Sequence, residues 1–531
     1  MYNAIMIEVT KEHELYEYFK SCCEKSKNLK NVANFYIRQV MTGIKKPENE
    51  RQQNEKDILK IVEETIPKVN ERKQENLQKK LAKIAKEDIS LEEKAKKIKE
   101  AHKKAEPFDI PTEDKWYMDY GVVEGVLRLS ENKDYLALPS QVNQQCLREI
   151  EANWKSYFNS LRDYNENPSK YLGKPNLPKY KKATMSNCVF TNGVCKFKKD
   201  KERTYMIFPK TKATLNLGTY IKGIEKLATV NVIPYYDRFK VVVTLGTSEK
   251  KLSEQEKAAI EKAKYDNAKR IMAIDLGINN LASISNNIGI KPIVIKGGYI
   301  KSKNQYFNKR KAVLCSKIQK GTDSKNSIKH TNRLNNLSRN RTNFFRDYFF
   351  KVAHFIVKEA KANNIDTIII GHSKLWKQNI NIGKQNDQAF TSIPFDKLIY
   401  AITYIAEKND INVIVTEESY TSKASFLDMD DIPTYKENNN EEYSFSGKRI
   451  KRGLYKSKKG IIINADINGA SNILRKAIPN AFKEISDYNY LTGKIESIGF
   501  DKFYTKKRNK SIPHKDRGPC DGPISILTDK A

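Results

Sequence analysis

The sequence predicts an α+β protein of several domains, and three observations carry that prediction. At 531 residues the chain is longer than a single hydrophobic core organises. Apolar residues at helical spacing dominate roughly its first third. Short strand-like runs then recur in two blocks, residues 185–248 and residues from about 270 onward.

Ala4–Thr10 reads as a strand. The stretch EYFKSCCEKSKNLKNVANFYIRQVMTG follows, with Val32, Phe35, Tyr36 and Val40 on one helical face and Lys and Arg on the other. Residues 46–104 are almost all Lys, Glu, Gln and Asn. Ile58, Leu59, Ile61 and Ile66, then Leu77, Leu81 and Ile84, recur at helical intervals, which predicts a helical hairpin or coiled-coil arm; a disordered tether is the alternative. Leu147, Ile150, Trp154, Phe158 and Leu161 make the apolar stripe of a further helix, leaving Arg148 and Lys155 for solvent or RNA. NPSKYLGKPNLPKYKK is a basic, extended connector carrying Lys174 and Lys179.

Residues 185–248 alternate in part and break at a YYDR turn, which predicts a small β-barrel followed by a linker helix. From Arg270 the order changes. IMAIDLG, LASIS and KPIVIKGG read as three strands. A long helical run to Lys361, the strand TIIIGH, a helix near Ile399–Lys408, the strand INVIVTEE and the helix INGASNILRKA follow. Three meandering strands, then helix and strand in alternation, is the order of an RNase H-like fold.

Charge narrows the partner. Lys+Arg number 97 against 64 Asp+Glu, a net +33, and such an excess suits a polyanion. A lysine-rich solvated surface is the plainer alternative. None of the seven cysteines forms a CxxC pair, which argues against a zinc ribbon and for a reducing compartment. MYNAIMIEVT lacks a basic leader, and no apolar run is long enough to span a bilayer, so a cytoplasmic protein is expected.

Two acids stand where catalysis on a phosphodiester needs them. Asp275 ends the first strand of the last block, and Asp466 opens its last helix. Metal-assisted cleavage requires converging carboxylates, because magnesium takes hard oxygen ligands. A third acid is expected at the end of TIIIGH, but Gly371 and His372 stand there.

Here the sequence resembles a known family. IMAIDLGINNLASIS, EESYTSKASFLD, FSGKRIKRGLY and INADINGASNILRKA resemble the RuvC-type segments of TnpB proteins, transposon-encoded relatives of type V CRISPR effectors. KNLKNVANFYIRQ, LPSQVNQQCLREIEANWKS and NPSKYLGKPNLPKYK resemble that family's N-terminal half. The resemblance implies an RNA-guided DNA endonuclease with a guide RNA, target double-stranded DNA and Mg2+ (two ions), acting as a monomer or as a dimer on one RNA.

It also implies a domain plan: residues 1–14 as the first strand of a wedge barrel, 15–164 as a helical recognition lobe with the arm 46–104, and 165–265 as the wedge barrel and linker helix. Residues 266–424 and 464–486 then form a RuvC nuclease domain, 425–463 a target-nucleic-acid-binding insert and 487–531 a basic tail. This chain departs from the family at two points. The usual strand-end glutamate is absent, and no cysteine pairs follow the TS motif, so no zinc is expected. Glu418 stands where the family has a proline, next to Glu417.

The acid thus reads as moved one strand over, and Asp275, Glu418 and Asp466 become the expected catalytic and metal-binding triad, with Glu417 as second choice. In the insert, Lys448, Arg449, Lys451, Arg452 and Tyr455 are expected to grip nucleic acid, cations on phosphates and ring under base. Arg339 and Arg341 are expected to face a guide–target duplex, with Lys155, Lys174 and Lys179 on RNA. His372 and Trp376 read as structural or substrate-side. Two rival functions remain: an RNA-guided repressor that has lost cleavage, and a transposase working without RNA.

Overall fold

A computed structural model describes residues 3–200, 203–218, 227–246, 253–320, 331–372, 392–434, 443–485 and 487–504. They fall into two compact units, one N-terminal to about residue 249 and one following it.

The N-terminal unit is mixed. Strand β1 (Asn3–Val9) leads into helix α1 (Tyr16–Gly43). The charged arm is a helical hairpin, α2 (Gln53–Ala85) and α3 (Leu91–Ala105), so the tether alternative fails. Leu77, Ile84, Ala101 and Ala105 form its small core. Two short helices, α4 (Tyr120–Leu129) and α5 (Lys133–Leu136), precede the long α6 (Ser140–Glu166). The ring of Trp154 is fully buried, and its Nε1–H donates to Asn34 Oδ1 at 3.1 Å, tying α6 to α1. An ion pair does the same: the buried Lys30 ammonium lies 2.6 Å from the half-buried Glu149 carboxylate.

Strands β2 (Cys188–Thr191), β6 (Leu227–Tyr235) and β7 (Arg238–Leu245) join β1 in an antiparallel sheet of order β1-β7-β6-β2. The β6–β7 hairpin turns at Tyr236–Asp237, and Tyr236 takes a φ of 56°, as a two-residue hairpin turn demands. Strands β3 (Lys196–Asp200), β4 (Arg203–Ile207) and β5 (Thr214–Asn216) form a separate sheet. Among the described residues the two sheets do not close into one continuous hydrogen-bonded barrel.

The second unit opens on helix α7 (Glu254–Asp266), capped by a Ser253–Glu256 box. Its main sheet contains β8 (Ile271–Leu276), β9 (Asn280–Asn286), β10 (Ile293–Lys296), β11 (Thr367–Gly371) and β12 (Asn412–Thr416). The order is β12-β11-β8-β9-β10-β16, the last strand being Glu496–Ile498. Strand β9 runs antiparallel to both β8 and β10, whereas β11 and β12 run parallel to β8. The predicted meander followed by parallel strands is present.

Helices α8 (Gly298–Gln319), α9 (Asn332–Ala362) and α10 (Phe395–Glu407) connect these strands, and α11 (Ala465–Ala477) follows the insert. The sequence reading did not foresee α8, whose apolar residues do not line up at helical spacing. Alternation along the strands sorts side chains to two faces. Met272, Ile274, Ile368 and Ile370 join the core shared with α9 and α10. Ile271, Ala273, Ile369 and Ile414 join the core beneath α11.

The first part of the segment expected as tail carries secondary structure. After a short helix α12 (Asn489–Thr492), β16 adds a parallel edge to β10. Phe500 stacks on Tyr299 with ring centroids 3.5 Å apart, and Phe503 packs edge-on to Tyr348. The basic run of charges led the sequence reading to overlook these aromatics. Trp376 lies outside the described residues, as does the chain after 504. Among the described residues, no helix is long and apolar enough to cross a membrane.

Candidate active site

The alternation that sorts the core also aims Asp275. It follows Ile271 and Ala273 on the α11 face of β8. The register Ile369↔Ala273, continued by two residues, sets Gly371 level with Asp275 on that face. Gly371 pairs in turn with Thr416, the last residue of β12, and Glu417 and Glu418 come next.

The structure separates these two glutamates. Glu417 is engaged elsewhere: its carboxylate accepts from Lys476 Nζ at 2.5 Å and from the Ser419 N–H. Burial opposes its ionisation, but those two donors outweigh it and hold the carboxyl below the ordinary glutamate range. Glu418 points across Gly371. A Cβ on Gly371 would stand 2.8 Å from Glu418 Oε2 and 2.5 Å from Ile473 Cδ1, so the glycine leaves the space that Glu418 takes.

Asp466 does not serve as a helix cap. Asn464 caps α11, its side chain accepting from the N–H groups of Asp466 and Ile467 at 3.0 and 3.1 Å. Asp466 is left for other work in the first turn, where the helix dipole favours an anion. Asn280 donates to its Oδ2 at 2.6 Å, and Arg449 Nη2 lies 3.7 Å from its Oδ1.

Asp275 thereby meets two other acids. Burial pushes its carboxyl well above the usual range, the charges of Glu418 and Asp466 push it further, and Arg449 pulls the other way. Gly469 of α11 makes room here too: a Cβ would fall 2.7 Å from Asp275 Oδ2. Gly277 lies in the β8–β9 turn, where a Cβ would meet the Asn280 carbonyl oxygen at 2.8 Å.

The donors are all carboxylate oxygens, the set a hard cation takes, and the charges of Glu418 and Asp466 beside Asp275 are opposed by Arg449. As they stand, no group of three or more His, Cys, Asp or Glu among the described residues is arranged to hold a metal ion. The three acids face one another but have not closed on a shared point.

The predicted nucleic-acid contacts divide. Lys448, Arg449, Lys451 and Arg452 are exposed on a three-stranded sheet of β13 (Lys448–Lys451), β14 (Leu454–Lys456) and β15 (Ile462–Asn464). Tyr455 is not available for stacking. Its ring is buried and its hydroxyl donates to the Lys423 carbonyl at 2.7 Å, because alternation turns it and Ile463 inward. Arg341 is half-buried and engaged within its own unit. It donates to Asn304 Oδ1 at 2.8 Å and to the Ser392 carbonyl, and it lies over the rings of Phe307 and Phe345. Arg339 is half-buried, whereas Lys155, Lys174 and Lys179 are exposed, Lys155 pairing with Glu151 at 3.0 Å. His372 Nε2 lies 3.4 Å from Asp396.

Residues the sequence reading passed over hold the site. Asn468 and Asn472 of α11 donate to the Ala424 carbonyl at 2.8 and 2.7 Å, and Asn472 also donates to Thr421. The asparagines at 464, 468 and 472 recur every fourth residue along one helix face, a signal that was legible in NADINGASN.

Two family models match the chain. One, described as "Probable transposase" (OrfB_IS605), covers residues 247–377. The other, "Cas12f1-like, TNB domain", covers 395–473. A TnpB-like protein, ORF457 of Acidianus two-tailed virus, is 23% identical over 364 residues, spanning 64% of this chain and 74% of that protein. These matches make the chain similar to TnpB proteins over residues 247–377 and to miniature type V effectors over residues 395–473. Among solved structures, a Cas12f1–sgRNA–target DNA complex aligns at a TM-score of 0.42 and 13% identity, covering 89% of this chain and 98% of that one. The mini-RNA-guided endonuclease CRISPR-Cas_phi3 aligns at 0.36 and 12%, covering 68% and 86%.

Proposed function

We propose that this protein is an RNA-guided, Mg2+-dependent DNA endonuclease with a single RuvC-type site at Asp275, Glu418 and Asp466. The observation that carries the reading is Glu418, which lies over Gly371 within electrostatic reach of Asp275. The antiparallel β10-β9-β8 meander flanked by parallel β11 and β12 supports an RNase H-like reading of the unit. Similarity to TnpB proteins supports the guide RNA and the DNA target.

Asp275, Glu418 and Asp466 would hold Mg2+, which when bound supplies a Lewis acid for a phosphodiester and lowers the pKa of water. Asn280 fixes the orientation of Asp466. Lys476 holds Glu417 away from the site, so only one glutamate is offered. Base pairing with the guide would read the sequence, and the exposed lysines and arginines of the β13–β15 sheet would hold the backbone.

The test has two steps. RNA that co-purifies with the protein from its native locus is sequenced, and the recovered guide is used in Mg2+-dependent cleavage of a matched plasmid. Glu418→Gln is expected to abolish cleavage and Glu417→Gln to leave most of it. Unchanged cleavage by Glu418→Gln removes the triad, and robust cleavage by RNA-free protein removes the guide. A second reading, an RNA-guided binder without cleavage, draws on the pairing of Asp466 with Arg449. It predicts guided binding with no product from any variant.

A further inference from the structure

Residues 425–463 contain no cysteine and no histidine, yet the β13–β15 sheet is folded against α11. Two carboxylates fasten it. Asp428 Oδ2 accepts from the Ser425 hydroxyl at 2.6 Å and from the Lys458 N–H at 2.7 Å. Asp430 Oδ2 accepts from the N–H groups of Ser425 at 2.8 Å and Ser446 at 3.0 Å, and its Oδ1 accepts from the Ser446 hydroxyl at 2.5 Å.

The placement of those donors matters. Ser446 stands two residues before β13, and Lys458 lies in the turn between β14 and β15. One short turn, Ser425–Asp430, thus holds both ends of the sheet. That turn is itself built on α11. The Phe426 N–H donates to Asn468 Oδ1 at 3.0 Å, and Arg475 donates to the Asp430 carbonyl. Met429, between the two aspartates, is held at a φ of 56°, a conformation that a non-glycine residue keeps only where its surroundings impose it. The sheet fastened in this way carries Arg449 to Asp466.

We propose that Asp428 and Asp430 are positioning residues that set the basic sheet, and Arg449 with it, over the carboxylate site by hydrogen bonds to Ser425, Ser446 and Lys458. The effect on cleavage rests on the nuclease reading; the fastening does not.

The experiment is amide hydrogen exchange on the full chain. Asp430→Ala is expected to speed exchange over residues 447–456 by on the order of tenfold or more, with β8 and β9 unchanged. Asp430→Asn is expected to stay near wild type. Its amide oxygen still accepts two N–H groups, and its NH2 donates to the Ser446 hydroxyl. If Asp430→Ala does not fold, Ser446→Ala removes one bond and is expected to raise exchange several-fold, on the order of one lost hydrogen bond. A zinc chelator is expected to change nothing.

Unchanged exchange in the alanine variants overturns the proposal. So does a chelator that loosens the wild-type sheet as much as Asp430→Ala does. With guide and Mg2+, Asp430→Ala is expected to lower turnover while guide affinity holds, and Asp430→Asn to restore it. Wild-type turnover in Asp430→Ala overturns the positioning role. If the wild-type protein itself fails to cleave, the nuclease reading falls and the exchange arms still decide the fastening.

Discussion

Gly371→Ala is the smallest change that separates space from chemistry at this site. The added Cβ would lie 2.5 Å from Ile473 Cδ1, 3.1 Å from Ile473 Cγ1 and 2.8 Å from Glu418 Oε2. Ordinary carbon contacts are about 3.5–4 Å, so both neighbours must retreat by roughly 1 Å. Ile473 is fully buried beneath the sheet, and overpacking there costs about 1–3 kcal/mol. The contact on Glu418 is at the far end of its side chain, so its displacement costs less stability than that of Ile473. It costs function instead: a misplacement of about 1 Å at a catalytic group lowers rate on the order of 100-fold.

The assay is single-turnover cleavage with guide and Mg2+, alongside thermal unfolding. The double variant Gly371→Ala, Ile473→Val removes the Cδ1 atom but leaves the Glu418 clash. Melting temperature should then recover more than rate does. Wild-type cleavage by Gly371→Ala, or parallel recovery of both quantities in the double variant, refutes the argument.

Further consequences are open to direct measurement. Glu149→Gln removes the counter-charge of the buried Lys30 ammonium, which keeps Ser186 and Asn187 as acceptors, and should destabilise the N-terminal unit by about 2 kcal/mol. Burial raises the Glu149 carboxyl, but Lys30 and Lys181 hold it below its ordinary value. Its contribution is therefore present above the unfolded carboxylate pKa and is lost as pH falls through the lowered one. Urea titrations from neutral to acid pH should show that loss in wild type and not in Glu149→Gln. Tyr455→Phe should lower stability by about 1 kcal/mol, the loss of one hydrogen bond, and leave nucleic-acid affinity alone. Lys451→Ala should instead weaken DNA binding and flatten its salt dependence, read by titrations at several salt concentrations. Phe500→Ala should cost about 2 kcal/mol in chemical unfolding of the second unit, since its ring stacks on Tyr299 and Tyr348.

Much of the fold was legible because it is written in local periodicity. The arm's sparse Ile and Leu residues specified its helices, and apolar runs specified β8, β11 and β12. Each helix or strand needs only its own spacing to show itself. Helix α8 was not legible because its own apolar pattern is weak, and strand β16 because its partner β10 lies far back along the chain. Tyr455 misled for a related reason: a tyrosine among lysines reads as a stacking residue until strand register turns it inward.

The site divides along the same line. The sequence by itself determined which acids end strands or open helices, namely Asp275, Glu417, Glu418 and Asp466, and it showed Gly371 where another acid was expected. Only the tertiary structure shows what each glutamate meets. Lys476, 59 residues further along, takes Glu417. Gly371, on the neighbouring strand, leaves room for Glu418. Repulsion between carboxylates and the volume of a missing Cβ act through space. No spacing along the chain records them.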